Sequence, residues 1–280
     1  MVKIISDSTC DLSKELIERY DIAITPLSVS FGDEIGKDGI DATPQRIYDY
    51  VARTGTLPKT SACNIEEYKS VFDYWRNKGY DIVHISLGSK FSSSYSNASA
   101  AAGKTNGVFV VDSENLSTGQ GLIVIKAAEM SMQGYNAKDI YDACCAIALK
   151  VETSFIISHL DYLYKGGRCS ALSVFGANLL KLKPCIDVTD GLMKPSKKYR
   201  GTIEKVILQY VEDRLGGRED IDYSRIFITH TAYSEKVVES VRKKIIEIKP
   251  EFAEVLETTA GSTITTHCGA ECLGILFIRK

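Results

Sequence analysis

The sequence contains no long apolar run, and this argues first against a membrane-spanning helix. Crossing a bilayer takes about 18 or more consecutive apolar residues, and no stretch of the 280 residues approaches that length. The N-terminal apolar stretch is too short for a signal peptide and becomes acidic too soon, at Asp7. We therefore expect a cytoplasmic protein.

An excess of basic charge is also missing. The chain has 34 Lys and Arg residues against 36 Asp and Glu residues, a formal net charge of −2. Proteins that bind duplex nucleic acid usually concentrate positive charge, so nucleic acid is not a predicted partner. The hydrophobic fraction of 44% and the charged fraction of 25% are ordinary for a globular protein and argue against disorder.

Several chemical motifs are absent as well. None of the eight cysteines forms a C-x-x-C pair, so we expect buried thiols in a reducing compartment. Cys268 and Cys272 lie beside His267, but a fourth ligand at a recognisable spacing is lacking, and no metal site is predicted. The chain has no G-x-x-x-x-G-K-[ST] motif for a phosphate-binding loop and no G-x-S-x-G motif for a hydrolase nucleophile.

Short apolar runs that alternate with helical patterns are present throughout. In the N-terminal half the runs 2–6, 81–87 and 107–112 each precede a helical stretch, which predicts βαβ units on a parallel sheet. Beyond about residue 153 the sequence Asp190-Gly191 indicates a hairpin turn and hence antiparallel pairing. We predict an α/β fold of two lobes, a parallel-rich N-terminal lobe (1–152) and a mixed-sheet C-terminal lobe (153–280).

Two segments carry the clearest helical patterns. Segment 64–78 has apolar residues at helical spacing with charged residues between them, which is typical of an amphipathic surface helix. Segment 117–132 is apolar nearly all round and is predicted to be a buried helix. Within it Ser117 is the expected helix cap, and the glycines form an incomplete G-x-G-x-x-G because Val124 occupies the third glycine position.

A candidate anion site lies in segment 86–97. There a strand ends, Gly88 makes a turn, and a run of serines that includes Ser92 and Ser93 opens a predicted helix. Free N–H groups at a helix start, placed at the carboxyl end of a parallel strand, bind anions. The alternative is that one serine simply caps the helix. Thr60 offers a hydroxyl at a second expected helix start, with the same alternative.

Two further residues have side chains suited to an anion. Arg168 follows the pair Gly166-Gly167, and a guanidinium on flexible backbone can bind an anion through two hydrogen bonds, although an ordinary ion pair is equally compatible. His267 lies beside threonine hydroxyls in a predicted loop, which favours a functional role. The other three histidines lie in or beside strand-like runs and are expected to be structural.

Read in order, a set of short motifs resembles the DegV family of bacterial fatty-acid-binding proteins. Each motif is loose by itself, whereas the ordered set is specific and spans the chain. The motifs are DSTCDL at 7–12, KTS at 59–61, ISLGS at 85–89, VDS at 111–113, YLYKGGR at 162–168, LKP at 182–184 and HCG at 267–269.

The resemblance implies a carrier without catalysis of its own. One long-chain fatty acid would lie in a tunnel between the lobes, with no further cofactor, and a separate fatty acid kinase would convert its carboxylate to an acyl-phosphate for phospholipid synthesis. Transient membrane contact is compatible with this role. The alternatives are an enzyme subunit resembling the substrate domain of dihydroxyacetone kinases, in which a histidine holds a small carbonyl compound, and a scaffold protein with a structural lipid.

The resemblance also implies which residues form the site. The carboxylate would be held by Thr60, Ser92, His267 and the backbone amide of Ser93. Ser93 stands where the family usually has glycine, so we expect glycine-like backbone angles there at a cost of about 1–3 kcal/mol. The residues expected to contact the kinase or the acyl-phosphate are Arg168, Arg200 and Lys165.

Overall fold

The computed structural model describes residues 1–103, 105–158, 160–169 and 183–280. Parallel strands and helices alternate in the N-terminal half, as the apolar runs predict. In chain order the elements of this half are β1 (Val2–Asp7), α1 (Lys14–Arg19), β2 (Ala23–Thr25), β3 (Ser28–Phe31), β4 (Glu34–Lys37), α2 (Pro44–Thr54), β5 (Lys59–Ser61), α3 (Ile65–Asn77), β6 (Asp81–Ser86), α4 (Ser94–Ala102), β7 (Val108–Asp112), α5 (Ser117–Met132) and α6 (Ala137–Ala148).

The C-terminal half is built mainly of longer strands. Its elements are β8 (Val151–Ile157), α7 (Leu160–Gly166), β9 (Lys183–Thr189), β10 (Leu192–Tyr199), α8 (Ile203–Leu215), β11 (Ile221–Thr231), α9 (Glu235–Ile248), β12 (Val255–Thr259), α10 (Ser262–Cys268) and β13 (Cys272–Arg279).

The two larger sheets confirm the predicted α/β fold with one parallel-rich and one mixed sheet. Strands β2-β1-β6-β7 form a four-stranded sheet in which every pair is parallel. The six-stranded sheet β10-β9-β8-β13-β11-β12 is antiparallel except for the parallel pair β11–β12. Asp190 and Gly191 both have positive φ, 53° and 68°, as the tight turn of the β9–β10 hairpin requires. The lobe boundary near residue 153 stays a prediction.

A third sheet has three short strands. Strands β3 and β4 form a hairpin, and β5 pairs with β3 on its other side in the order β4-β3-β5. Thr60 therefore lies on a strand, and the expectation that it opens a helix is wrong. Asn64 caps α3 instead, because its side chain accepts from Glu67 N while the Glu67 carboxylate accepts from Asn64 N.

Helix α5 confirms the prediction of a buried helix and joins the two large sheets. Leu122, Ile123 and Ile125 are fully buried in one apolar cluster. That cluster also contains Val83 from the parallel sheet and Phe227 from the mixed sheet. Because both sheets cover the same helix, they share one hydrophobic core.

Two expected backbone details of helix starts are wrong. Leu116, not Ser117, is the N-cap residue of α5, and Ser117 has φ +53° with its hydroxyl donating to Asp11 Oδ2. Ser93 is the N-cap residue of α4 with φ −77° and ψ 4°. These angles are open to any residue, so the backbone strain expected for a serine at a glycine position is not present.

No helix within residues 1–103, 105–158, 160–169 and 183–280 combines the length and the apolar character that a bilayer crossing needs.

Close packing at the start of α5 generates a stability prediction. A methyl group on Gly119 would overlap Thr153 Oγ1 and Asn115 Oδ1, two atoms joined by a 2.6 Å hydrogen bond. Although alanine is the better helix former, we expect Gly119→Ala to lower the free energy of unfolding by about 1–3 kcal/mol, because this core position has no room. Urea unfolding measures the change.

A double-mutant cycle controls for the helix propensity of alanine. Thr153→Ala removes one of the two overlapped atoms, so Gly119→Ala should cost less in that background than in the wild type. Equal costs in both backgrounds would contradict the steric explanation.

Candidate functional site

Thr60 and His267 meet although they lie 207 positions apart in sequence. Thr60 Oγ1 and His267 Nε2 are 2.9 Å apart. Thr60 is positioned by β5, which pairs with β3 at Val29. His267 belongs to the last turn of α10, so the expectation that it lies in a loop is wrong.

Ser92 lies near Thr60 and His267 and comes from a third segment of the chain. It follows β6 and precedes α4, and its Oγ accepts a 3.2 Å hydrogen bond from Ser94 N. Thr60, Ser92 and His267 all line one cavity, which we call the central cavity. Ser93 is the exposed next residue at the N-cap of α4. The structure thus brings together three side chains that the motifs had singled out separately.

A buried polar network fixes the loop that carries Ser92. Ser94 Oγ lies 3.0 Å from Ser92 Oγ and hydrogen-bonds the Tyr68 hydroxyl, which donates to Asp7 Oδ1 at 2.7 Å. Asp7 Oδ2 accepts from Leu87 N at 2.8 Å.

Ionisation of Asp7 reflects this network. Burial opposes the charged carboxylate, but the adjacent His84 imidazole, the Tyr68 hydroxyl and the Leu87 N–H together hold the pKa of Asp7 below its usual value. Sequence reasoning assigned Asp7 no role. The available signal was a carboxylate at the carboxyl end of the first parallel strand.

The basic candidates are distributed unevenly around this cavity. Arg168 lines the central cavity, and its Nη1 donates to Gly166 O at 2.8 Å. Arg168 and Lys165 also line an adjoining outer cavity of about 590 Å³, together with Lys59. Lys165 is exposed and 4.0 Å from Asp161. Arg200 is an exposed residue directly after β10 and belongs to neither of these two linings.

Away from its polar end the central cavity is apolar. An inner cavity continues it deeper into the protein, and both share Leu116, Ile264 and Cys268. The volumes are about 50 Å³ for the central and 30 Å³ for the inner cavity. The remaining apolar side chains of the two linings are Leu27, Leu87, Phe91, Met193, Phe155, Ala260, Cys272 and Leu276.

His267 is neutral at physiological pH. Burial lowers the pKa of the imidazole to about 4, and the nearby Arg168 guanidinium acts in the same direction. Nδ1 is buried and has no hydrogen-bond partner among the described residues. Gly166 packs directly against this atom, and a methyl group there would overlap it. The imidazole can therefore act as a neutral hydrogen-bonding group, held in place from one side.

In the part of the chain that the structure describes, no group of three or more His, Cys, Asp and Glu side chains is placed to hold a metal ion. The Cys268 and Cys272 side chains contact each other, and this hydrogen bond together with burial raises the pKa of the Cys272 thiol. Cys268 lines both apolar cavities, and Cys272 lines the inner one with a protonated thiol.

Comparison with known proteins identifies the family. A family model described as "Uncharacterised protein, DegV family" matches residues 1–280. A DegV domain-containing protein of Staphylococcus aureus is 30% identical over 291 residues, covering 100% of this chain and 98% of its own.

Solved structures agree with this. The fold is similar to that of DegV, a fatty acid binding protein from Bacillus subtilis, with a TM-score of 0.82, 27% identity and coverage of 100% of this chain and 99% of that one. It is also similar to a stearic acid-binding protein from Eubacterium ventriosum, with a TM-score of 0.82, 26% identity and the same coverage. The ordered motifs and the fold thus have one explanation: the chain belongs to the DegV family.

Proposed function

We propose that this protein binds one long-chain fatty acid, with the carboxylate at Thr60, Ser92 and His267 and the tail in the central and inner cavities. The observation that carries the proposal is the polarity of the central cavity, where two hydroxyls and a neutral imidazole form one end of an apolar lining. The backbone amide of Ser93 is the fourth proposed donor. The ligand would lie between the predicted lobes 1–152 and 153–280.

The hydrogen-bonding capacity of these groups suits a carboxylate, which accepts only. When Nε2 of His267 carries the proton, it donates to Thr60 Oγ1, and the Thr60 hydroxyl proton is left for the ligand. Nδ1 is then an acceptor rather than a buried unpaired N–H. Ser92 Oγ accepts from Ser94 N and lies 3.0 Å from Ser94 Oγ, so its own proton turns from Ser94 to the carboxylate when the ligand binds.

The tail supplies most of the binding free energy. About 16 carbons at roughly 0.8 kcal/mol per CH₂ amount to roughly 11–12 kcal/mol before the cost of association. Pockets for small molecules usually enclose about 300–1,000 Å³. The central and inner cavities enclose only about 50 and 30 Å³, so side chains of their linings must move when an acyl chain enters. Met193 is the most adaptable of them because its side chain is unbranched.

We further propose that a separate fatty acid kinase phosphorylates the presented carboxylate in the cytoplasm. The sequence has no phosphate-binding loop of its own. The product gains negative charge, and Arg168 and Lys165 border the outer cavity, where that charge would develop. Arg168 and Arg200 are the preferred contacts for the acyl-phosphate or the kinase, because planar guanidinium groups bind phosphate oxygens in pairs.

Extraction and titration test the binding proposal directly. We expect mass spectrometry of the purified protein to release a long-chain fatty acid, and a labelled fatty acid to saturate the delipidated protein near one equivalent. Chelator should leave the binding unchanged. Binding that requires a metal ion, or release of a small carbonyl compound instead of a fatty acid, would contradict the proposal.

Substitution of the three side chains tests the site. A hydrogen bond to a charged group contributes about 1.5–3 kcal/mol, so Ser92→Ala and Thr60→Val should each weaken fatty-acid binding about tenfold or more without abolishing it. His267→Ala should weaken binding as well, because it removes the donor that orients Thr60 Oγ1. Transfer by the kinase should suffer more, because it needs the carboxylate held in one orientation. Fluorescence titration and kinase turnover measure the two effects.

Matched variants control this experiment. Ser70→Ala and Thr54→Val remove exposed hydroxyls on α3 and α2 and should match the wild type in both measurements. If all three site variants bind and turn over like the wild type, the carboxylate lies elsewhere.

The arginine variants test the proposed contact with the kinase or the acyl-phosphate. Arg168→Ala and Arg200→Ala should slow phosphoryl transfer by the kinase while leaving fatty-acid affinity nearly intact.

The lowered pKa of His267 predicts a pH dependence of stability. Its folded pKa of about 4 lies below the unfolded value of 6.5, so protonation favours the unfolded chain. The stabilisation is complete above pH 6.5 and is lost as the pH falls to 4, by up to about 3 kcal/mol. Urea unfolding of the wild type and His267→Gln should show this loss in the wild type alone. Parallel stability curves would contradict it.

A further inference from the structure

Helix α10, which carries His267, begins at two buried carboxylates from the N-terminal part of the chain. Asp11 Oδ1 accepts from Gly261 N at 2.8 Å, and Asp38 Oδ1 accepts from Ser262 N at 2.7 Å. The N-cap of this helix, Gly261, has no side chain to supply a cap. The two aspartates therefore satisfy N–H groups that the helix cannot satisfy by itself.

The second oxygen of each carboxylate binds another segment. Asp11 Oδ2 accepts from the Ser117 hydroxyl at 2.5 Å, at the start of α5. Asp38 Oδ2 accepts from the Ser8 hydroxyl at 3.0 Å. All four oxygens of the two aspartates are thus hydrogen-bonded within the chain, so the pair forms an internal clamp.

The clamp also reaches the strand that carries Thr60. Ser8 Oγ accepts from Leu27 N at 3.2 Å, and Asp38 N donates to Leu27 O at 2.9 Å. Leu27 directly precedes β3, and β3 pairs with β5 at Thr60. Asp38 is therefore linked to Thr60 through Leu27 and β3, and to His267 through helix α10.

We propose that Asp11 and Asp38 are positioning residues, which hold α10 against the β3–β5 strands so that His267 Nε2 reaches Thr60 Oγ1. This inference rests on the proposed function, which makes the Thr60–His267 pair part of the carboxylate site. It gives a role to Ser8 and Asp11 of the DSTCDL motif at 7–12, whose first residue, Asp7, holds the loop of Ser92.

The environment of the clamp agrees with a rigid attachment. A Cβ atom on Gly261 would lie 3.0 Å from Asp11 Oδ1 and 3.1 Å from Asp38 Oδ1, so the helix start sits tightly between the two carboxylates. Ser117 keeps its positive φ of 53°, unusual for a residue with a side chain, while bonded to Asp11. Burial, with a contribution from the charge of Asp38, raises the pKa of Asp11 to about 8. Asp11 is therefore mostly protonated at neutral pH. Its proton then lies between Oδ2 and Ser117 Oγ while Oδ1 still accepts from Gly261 N, and an asparagine amide offers the same donor and acceptor.

The test uses two readouts on the full chain. NMR titration of His267 in the ligand-free protein reports the environment of the imidazole, and titration with a labelled long-chain fatty acid reports the site. In Asp11→Ala and Asp38→Ala we expect the pKa of His267 to rise from about 4 toward 6.5, because the loosened helix exposes the ring. We expect fatty-acid affinity to fall about tenfold, a loss typical of one hydrogen bond to a charged group.

Two variants serve as controls. Asp11→Asn keeps an acceptor for Gly261 N and should stay near the wild type in both readouts. Asp222→Ala removes a carboxylate that accepts from Ser224 N at 2.8 Å in β11, away from α10, and should leave both readouts unchanged. Wild-type His267 titration and affinity in both aspartate-to-alanine variants would overturn the clamp.

A milder variant decides the matter if the alanine variants do not fold. Ser8→Ala removes only the hydroxyl that links Asp38 to Leu27, and it should shift the pKa of His267 in the same direction by a smaller amount. An unchanged pKa would overturn the clamp. The NMR readout needs no ligand, so a wild type that binds no fatty acid while the variants shift His267 would refute the proposed function and leave the clamp standing.

Discussion

Helix α5 is the element on which the rest of the structure depends, because residues 117–125 have no face that can be left in water. Leu122, Ile123 and Val124 are successive residues and all are fully buried. Such a helix is stable only when apolar surface covers it from every side. The parallel sheet and the mixed sheet supply that cover, and their shared core places the N-terminal end of α5, Leu116 and Ser117, beside the cavities.

The candidate site follows from this arrangement as a junction of segments. β5 contributes Thr60, the loop before α4 contributes Ser92, and α10 contributes His267. None of these segments is long enough to fix a side chain by itself. Their positions are set by buried polar groups, the Asp7 network for Ser92 and the aspartates at the start of α10 for His267. Burying such polar groups costs free energy unless they are hydrogen-bonded. The hydrogen bonds that satisfy these aspartates also position the side chains of the candidate site.

The sequence predicted long periodic elements well and short ones poorly. Segment 64–78 predicts a helix, and α3 spans Ile65–Asn77. The prediction succeeds because an amphipathic pattern with helical spacing over that length does not fit a strand. The sequence around His267 predicts a loop rather than helix α10, because the segment is short and rich in threonine, a weak helix former. It is helical through contacts with distant residues. Likewise β5 has only three residues, and its strand conformation comes from pairing with β3.

The sequence by itself determined the family, the class of fold and the kinds of side chains available to a carboxylate, since these reside in local patterns and in the order of motifs. Tertiary structure alone decided which of those side chains meet. The contact between Thr60 and His267 joins residues 207 positions apart, and the low pKa of His267 comes from burial by several elements at once. Neither property is encoded in a short window of sequence, because distance and desolvation arise only when remote segments pack together.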